Sequence, residues 1–164
     1  SNNYFFSEGV GVKNNPLFNY LPMKPTQGET MIIESKEFEA DCTVNRNLFI
    51  MPLKDNLFKI GSTYNWQLET SIITAEGKAD MLGRLEAFTH FNYKIIEHRA
   101  GVRPTVSDRR PLIGQHKSVK NAFIFNGLGT KGVMIAPYFS EQLFRHACYG
   151  DELDVEVDIK RFDK

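Results

Sequence analysis

The chain has 164 residues, of which 41% are hydrophobic and 24% are charged, a composition that excludes a disordered polymer and suits one or two packed cores. Twenty basic and twenty acidic residues cancel to a formal net charge of zero, so the overall charge favours neither a nucleic acid nor an anionic membrane as a partner. No apolar run approaches the roughly 18 residues that span a bilayer, and the first residues lack the basic start of a secretory signal. We therefore expect a cytoplasmic protein.

The first half of the chain contains several β-rich runs. Residues up to about 20 are punctuated by Asn, Pro and Gly and predict an entry loop. The run GETMIIES, which begins at Gly28, predicts a strand. NLFIMPL and LFKIGST are separated by the polar triplet KDN, which predicts an antiparallel hairpin with a short turn.

A helical pattern begins at Thr74, which suits the N-cap position. Apolar residues then recur on one face, and we expect a helix from about residue 74 to 91 that lies across the sheet. The side chains expected in the shared core are Ile33, Phe49, Ile60, Met81, Leu82, Leu85 and Phe88.

The second half alternates again between extended and helical patterns. YKIIEHRAGVRP predicts a strand, NAFIFN predicts a short buried strand, and GVMIAPYFSEQLFRHACYG predicts a helix that tolerates Pro137 only near its beginning. The tail DELDVEVDIKRFDK predicts an edge strand or an extended arm. The four histidines lack metal-ligand spacing and are expected to be surface or satisfied residues, and Cys42 and Cys148 lack a CxxC pattern, so we predict no metal site and reduced thiols.

The segment GLGTKG, residues 127–132, satisfies the G-x-G-x-x-G pattern of dinucleotide-binding folds. Only residues 133–164 follow it, which leaves no room for the further βαβ units of such a fold. The local physics still applies, because glycines let a backbone approach a ligand closely and a helix start favours negative charge. A plain strand-to-helix turn is the alternative interpretation.

Two segments, GVRPTVSDRRPLIG and NAFIFNGLGTKGVMIAPYFSEQL, together resemble the C-terminal signature of the FAD-dependent oxidoreductases related to D-amino-acid oxidase, glycine oxidase and sarcosine oxidase. The preceding order is also similar to that family's substrate domain: a P-x-x-G-E strand, a FIMPL strand, a KIGST strand and a helix. The family's N-terminal strand-glycine-helix unit, which holds the ADP part of FAD, has no match, since Gly9-Val10-Gly11 lacks a third glycine at the right spacing.

The resemblance implies an α+β fold, a mostly antiparallel sheet with a helix packed on one face, followed by a C-terminal strand-turn-helix of the flavin domain. Residues 1–20 are expected to be an entry loop from a missing FAD-binding domain. Residues 21–104 are expected to form the substrate-binding sheet and helix, and residues 105–164 the strand, helix and tail that close over the flavin. The chain would then be the C-terminal fragment of a longer enzyme, inactive by itself.

For the substrate site, the resemblance implies that Arg103 holds a substrate carboxylate. A guanidinium offers a planar fork to a carboxylate, and Pro104 restricts the backbone that carries it. The alternative is an internal ion pair between Arg103 and Asp108, although Asp108 is expected to shape the turn that follows. Phe49 is the second expected substrate contact, at a position where some relatives have a tyrosine.

For the cofactor, the resemblance implies that Gly127, Gly129, Thr130, Lys131 and Gly132 set backbone N–H groups and a helix start against the flavin ring. Lys131 could equally be a solvated lysine. Gly101 stands where sarcosine oxidases bind FAD through a cysteine, so the FAD would be non-covalent. We expect the full-length parent to bind it and this chain alone not to retain it.

The implied activity is oxidation of a carboxylate-bearing amine, an amino acid or N-substituted glycine, by hydride transfer to the flavin. The expected partners are a small-molecule amine and the missing FAD-binding domain. One alternative is the flavin domain of a tRNA-modifying enzyme that acts on carboxymethylaminomethyl-uridine, which the net charge of zero does not support. Another is a binding or interaction domain that has lost its cofactor.

Overall fold

The structure is a computed structural model that describes residues 2–87 and 89–163. Across that part of the chain, no helix combines the length and apolar character needed to cross a membrane. The strands are β1 (Tyr4–Phe6), β2 (Thr26–Glu34), β3 (Val44–Arg46), β4 (Leu48–Pro52), β5 (Leu57–Gly61), β6 (Lys94–Arg103), β7 (Leu112–Gln115) and β8 (Ala122–Asn126). The helices are α1 (Ala75–Glu86) and α2 (Gly132–Tyr149), with 3-10 helices at Gly9–Asn14, Gly129–Lys131 and Ile159–Phe162.

The chain divides into two compact units, which we call the sheet unit and the outer unit. The sheet unit is the continuous segment Thr26–Val102, and the outer unit combines the chain up to Pro25 with the chain from Arg103 onward. The chain therefore passes from one unit to the other twice, after Pro25 and again after Val102, just before Arg103, the last residue of β6.

The sheet unit contains a five-stranded sheet in the order β3-β4-β5-β2-β6. The predicted strand at GETMIIES is part of β2, and the predicted hairpin is confirmed, because Ile50 of β4 pairs with Ile60 of β5 in antiparallel register. Its turn has positive φ angles at both Asp55 and Asn56. Two such residues give a turn whose twist matches that of the strands, so the KDN triplet supplies a suitable hairpin turn.

Helix α1 begins where the sequence predicts it, with the Thr74 hydroxyl accepting a hydrogen bond from the Gly77 N–H at 2.9 Å. The predicted end at residue 91 is wrong, because the helix stops at Glu86. The chain beyond it is bound to the end of β2 instead: Asn92 donates its N–H to the Glu37 carboxylate at 2.9 Å, and its carbonyl accepts from the Ser35 hydroxyl at 2.7 Å.

The core of the sheet unit lies between α1 and the sheet, as predicted. Leu82 is partly buried at its edge, and Phe88 lies outside the described residues. The prediction that Phe49 belongs to this core is wrong, because Leu48 and Ile50 take the core side of β4 and the alternation of the strand turns Phe49 to the other side. The buried side chains are Met31, Ile33, Leu48, Ile50, Phe58, Ile60, Met81 and Leu85.

The outer unit contains a three-stranded sheet in the order β1-β8-β7. Its central strand, β8, runs parallel to β1 and antiparallel to β7. Strand β8 and helix α2 of this unit were predicted, as was β6 of the sheet unit, whereas β1 and β7 were not. Pro137 lies in the second turn of α2, where its missing N–H leaves one helical hydrogen bond unformed.

The tail does not form the predicted edge strand or extended arm. Leu153, Val157 and Ile159 are buried in the outer unit, and the chain ends in a 3-10 helix that is capped by the Asp158 carboxylate, which accepts from the Lys160 N–H at 2.9 Å. The alternation of apolar residues in the tail therefore reflects a turn and a short helix with one buried side.

Candidate active site

Arg103 is the last residue of β6, and the chain turns sharply directly after it. The Thr105 N–H donates to the Arg103 carbonyl at 2.9 Å, so Pro104 stands at the apex of a three-residue turn. Thr105 is held in turn by Lys24, whose N–H donates to the Thr105 carbonyl at 2.8 Å and whose carbonyl accepts from the Thr105 hydroxyl. The Arg103 side chain is half-buried, and these hydrogen bonds fix the backbone of the two residues that follow it.

Asp108 shapes the turn that follows, as expected. One carboxylate oxygen accepts from the Arg110 N–H at 3.0 Å, and the other accepts from Arg161 Nε at 2.9 Å. Arg161 also donates to the Pro111 carbonyl at 2.9 Å. The carboxylate considered as an internal partner for Arg103 is therefore paired with Arg161, a residue that the sequence analysis did not single out.

The glycine turn at residues 127–132 packs against this same segment. Gly127 has φ of +70°, and a Cβ added to it would lie 2.5 Å from Val106 Cγ2 and 3.2 Å from Leu112 Cγ. Gly129 has φ of +58°, and a Cβ there would lie 3.2 Å from Thr105 Cγ2. The two segments that the sequence analysis singled out are therefore in direct contact within the outer unit, and glycine permits that approach.

The start of α2 differs from the start of α1. Thr74 caps α1 and Glu76 lies in its first turn, whereas no side chain among the described residues caps the 3-10 helix Gly129–Lys131 or α2, and the first turn of α2 contains no acidic residue. Thr130 and Lys131 are exposed at this point. The positive end of the α2 dipole is consequently not compensated by a local carboxylate.

Asn126, the last residue of β8, is a second residue that the sequence analysis missed. Its side chain is buried and bonds to Gly9 on one side and to Gly127 on the other. The local signal that points to it is an Asn followed directly by Gly at the end of a buried strand. Its partner Gly9 is 117 residues away in the sequence, so the contact itself has no local signal.

The other predicted residues occupy separate positions. Phe49 lies in the sheet unit and packs over Gly61, where its Cζ would be 3.1 Å from an added Cβ. Gly101 is exposed on β6, with no heavy atom of the described residues within 4 Å of an added Cβ. Both cysteines are free and exposed.

Three of the four histidines have structural partners, as expected. His98 Nε2 lies 2.6 Å from the buried Glu29 carboxylate. His116 Nδ1 accepts from the Val119 N–H at 3.0 Å, and His146 Nδ1 lies 2.6 Å from a backbone carbonyl. Each of these three rings therefore lies within reach of a polar group of the same chain.

Comparison with known proteins identifies the family. The model of a family described as FAD dependent oxidoreductase, DAO, matches residues 6–145. The chain belongs to this FAD-dependent oxidoreductase family. The observed fold agrees, because its sheets, the helix across one of them and the C-terminal strand-turn-helix confirm the expected α+β class.

Solved structures of other proteins share this fold. Glycine oxidase from Bacillus cereus ATCC 14579 is 17% identical with a TM-score of 0.77, over 90% of this chain and 42% of that one. Iminodiacetate oxidase from Chelativorans sp. BNC1 is 20% identical with a TM-score of 0.74, over 94% and 44%. L-alpha-glycerophosphate oxidase from Mycoplasma pneumoniae, whose structure has FAD bound, is 13% identical with a TM-score of 0.72, over 96% and 46%. The chain thus spans less than half the length of each of these proteins.

The turn at residues 127–132 has two features that suit the family's cofactor. The N-terminus of α2 lacks a capping side chain among the described residues, and the exposed Lys131 adds a positive charge. Each feature favours an approaching group that is negatively charged. These residues are chemically suited to the edge of a flavin.

Proposed function

We propose that this chain is the C-terminal part of an FAD-dependent oxidoreductase that oxidises a carboxylate-bearing amine, either an amino acid or an N-substituted glycine. The observation that carries the proposal is the packing of the 127–132 turn against Thr105 and Val106, directly after Arg103. Arg103 is the expected substrate anchor, and the 127–132 turn is expected to contact the cofactor. Through this packing, the segment that follows Arg103 contacts that turn within one unit of the protein.

In this proposal Arg103 binds the substrate carboxylate. The guanidinium cannot lose its proton at physiological pH and presents two parallel N–H donors to the two carboxylate oxygens. The turn at Pro104 and the hydrogen bonds between Thr105 and Lys24 fix the backbone beside it, which limits the directions that the side chain can take. A fixed anchor orients the carbon that carries the amine, and such orientation is a large part of what an enzyme contributes to a two-reactant step.

The glycine turn serves the cofactor. FAD, when bound, supplies the two-electron oxidation by accepting a hydride from the substrate carbon. The contribution of this chain is electrostatic, because the uncapped start of α2 and Lys131 stabilise negative charge placed beside them. The FAD is non-covalent in this proposal and is held mainly by a part of the protein outside these 164 residues. Phe49 remains a predicted substrate contact.

The substrate class is supported by two of the similar proteins, which are named for glycine and iminodiacetate, both amines that carry carboxylates. A third is named for L-alpha-glycerophosphate, an anion without an amine. An arginine anchor suits either anion, so the amine and the carboxylate must be tested separately.

The proposal is tested with the purified full-length protein under anaerobic conditions, by following the visible absorbance of the oxidised flavin. Glycine, iminodiacetate and L-proline are compared with methylamine, which lacks the carboxylate, and with glycerophosphate, which lacks the amine. We expect bleaching by at least one of the three carboxylate-bearing amines and none by methylamine. A protein without flavin, or one that is bleached by glycerophosphate alone, would overturn the proposal.

A further inference from the structure

Asn126 links two segments that are far apart in the sequence. One is the 127–132 turn, and the other is the start of the 3-10 helix at Gly9, which we call the Gly9 turn. Its side-chain Nδ2 donates to the Gly9 carbonyl at 2.8 Å, and its Oδ1 accepts from the Gly127 N–H at 2.8 Å. The residue is 4% exposed, so neither polar atom has a ready replacement partner in water. Both halves of the carboxamide are therefore used, one for each turn, and the loss of either bond leaves a buried polar group unsatisfied.

The topology explains why these turns meet. Strands β1 and β8 are parallel neighbours, with Phe6 paired to Ile124, so the chain leaves both strands at the same edge of the sheet. Gly9 follows β1 and Gly127 follows β8 at that edge. In open sheets with parallel strands, ligands bind beyond the carboxyl ends of the strands.

The two linked turns differ in how firmly they are packed. Gly127 lies against Val106 and Leu112, and a Cβ would collide there. Gly9 also has a positive φ, of +58°, but no heavy atom of the described residues lies within 4 Å of an added Cβ. The bond from Asn126 thus ties an open turn to a closely packed one.

We infer that Asn126 is a positioning residue for the cofactor: it fixes the Gly9 turn relative to the 127–132 turn, so that both meet one face or edge of the flavin in a set geometry. This inference rests on the proposed function. It also refines the role of Gly127, whose N–H is already donated to Asn126. The backbone donors that remain for the flavin belong to Gly129 and the residues that begin α2.

The test uses the full-length protein with two variants and a matched control. Asn126→Asp keeps the acceptor for the Gly127 N–H but places an oxygen against the Gly9 carbonyl. Asn126→Ala removes both hydrogen bonds without adding charge, and it serves if a buried carboxylate prevents folding. Asn121→Ala is the control, because Asn121 also joins the two strands, donating to the Asn2 carbonyl at 3.2 Å, but at the opposite end from the glycine turns.

Three quantities are measured: the Kd for FAD, the reduction potential of the bound flavin, and the melting temperature of the FAD-free protein. For the Asn126 variants we expect a Kd raised at least tenfold and a more negative potential. If a variant weakens the binding of reduced flavin ten times more than the binding of oxidised flavin, the reduction potential falls by about 30 mV. The Asn121 control should leave the Kd and the potential at wild-type values.

Two results would overturn the inference, and they are distinguishable. Asn126 variants with a lowered melting temperature but a wild-type Kd and potential would show that the carboxamide only stabilises the fold, and the proposed function would stand. A wild-type protein that binds no FAD would overturn both the inference and the proposed function.

Discussion

Gly77 in the first turn of α1 lies directly against the carboxylate of Glu29 in β2. A Cβ added at Gly77 would lie 2.7 Å from Glu29 Oε2 and closer still to Oε1. Glu29 is 1% exposed, and its carboxylate accepts hydrogen bonds from the Thr74 hydroxyl at 2.7 Å and the Thr74 N–H at 3.3 Å, so displacing it disturbs these bonds. The buried carboxylate therefore disfavours any side chain at position 77.

This relationship gives a matched pair of substitutions within one helix. Gly77→Ala should destabilise the chain by about 1 to 3 kcal/mol, because the methyl group displaces the Glu29 carboxylate. Gly83→Ala should stabilise it by about 0.5 to 1 kcal/mol, because no described atom lies within 4 Å of the added Cβ and alanine favours the helix. Chemical denaturation of the two variants measures both values, and equal effects would contradict the close contact at Gly77.

A second pair of glycines tests the contact that underlies the candidate site. Gly127 and Gly150 have similar positive φ angles, +70° and +78°, so alanine carries a similar backbone strain at both. Only Gly127 has a close neighbour, Val106. Gly127→Ala should therefore cost about 1 to 3 kcal/mol more than Gly150→Ala in the free energy of unfolding. Equal losses would show that the turn does not pack against Val106.

Arg161 should stabilise the outer unit through its bonds to the 108–111 turn. Its side chain is 15% exposed and donates to the Asp108 carboxylate and to the Pro111 carbonyl. Arg161→Ala should lower the free energy of unfolding by about 1.5 to 3 kcal/mol. Arg145→Ala is the control, since Arg145 forms an exposed pair with Asp151 and should cost less than about 1 kcal/mol. A loss at Arg161 no larger than that at Arg145 would refute its bridging role.

Glu37 gives a prediction about acid stability. The backbone N–H of Asn92, and then its side-chain amide, hold the pKa of Glu37 below its ordinary value. A lowered pKa stabilises the fold above the pKa of the unfolded state, and that contribution is lost as the pH falls through the folded-state pKa. Wild type should therefore be more stable than Glu37→Gln near neutral pH, with the difference shrinking in acid. A difference that is constant down to low pH would contradict the assignment.

The sequence predicted those features whose causes are local. The Thr74 cap, the KDN hairpin turn and the apolar face with Met81 and Leu85 each depend on residues within a few positions of one another. Strand β1 could not be predicted in this way, because it has three residues and pairs with β8 more than a hundred residues later.

The same reasoning applies to the candidate site. Arg103 and the 127–132 turn were found through a family resemblance, because their motifs are contiguous in the sequence. The bond of Arg161 to Asp108 spans 53 residues, and that of Asn126 to Gly9 spans 117, so no periodicity or spacing indicated either. The tail was mistaken for a strand because alternating apolar residues suit a strand and equally suit a turn with one buried side.

We propose that Arg103 anchors the carboxylate of an amine substrate, and this role is measured by kcat/KM of Arg103 variants in the full-length enzyme. Arg103→Ala should lower kcat/KM for the carboxylate-bearing amine by a factor of about 10² or more. Arg103→Lys keeps the charge without the planar fork, so its kcat/KM should lie between those of wild type and Arg103→Ala. Arg110→Ala is the control, since Arg110 lies in the same segment and pairs with the exposed Glu156. We expect this loss to occur with unchanged flavin content, whereas an Arg103→Ala enzyme that oxidises its amine at the wild-type rate per folded molecule would refute the carboxylate anchor.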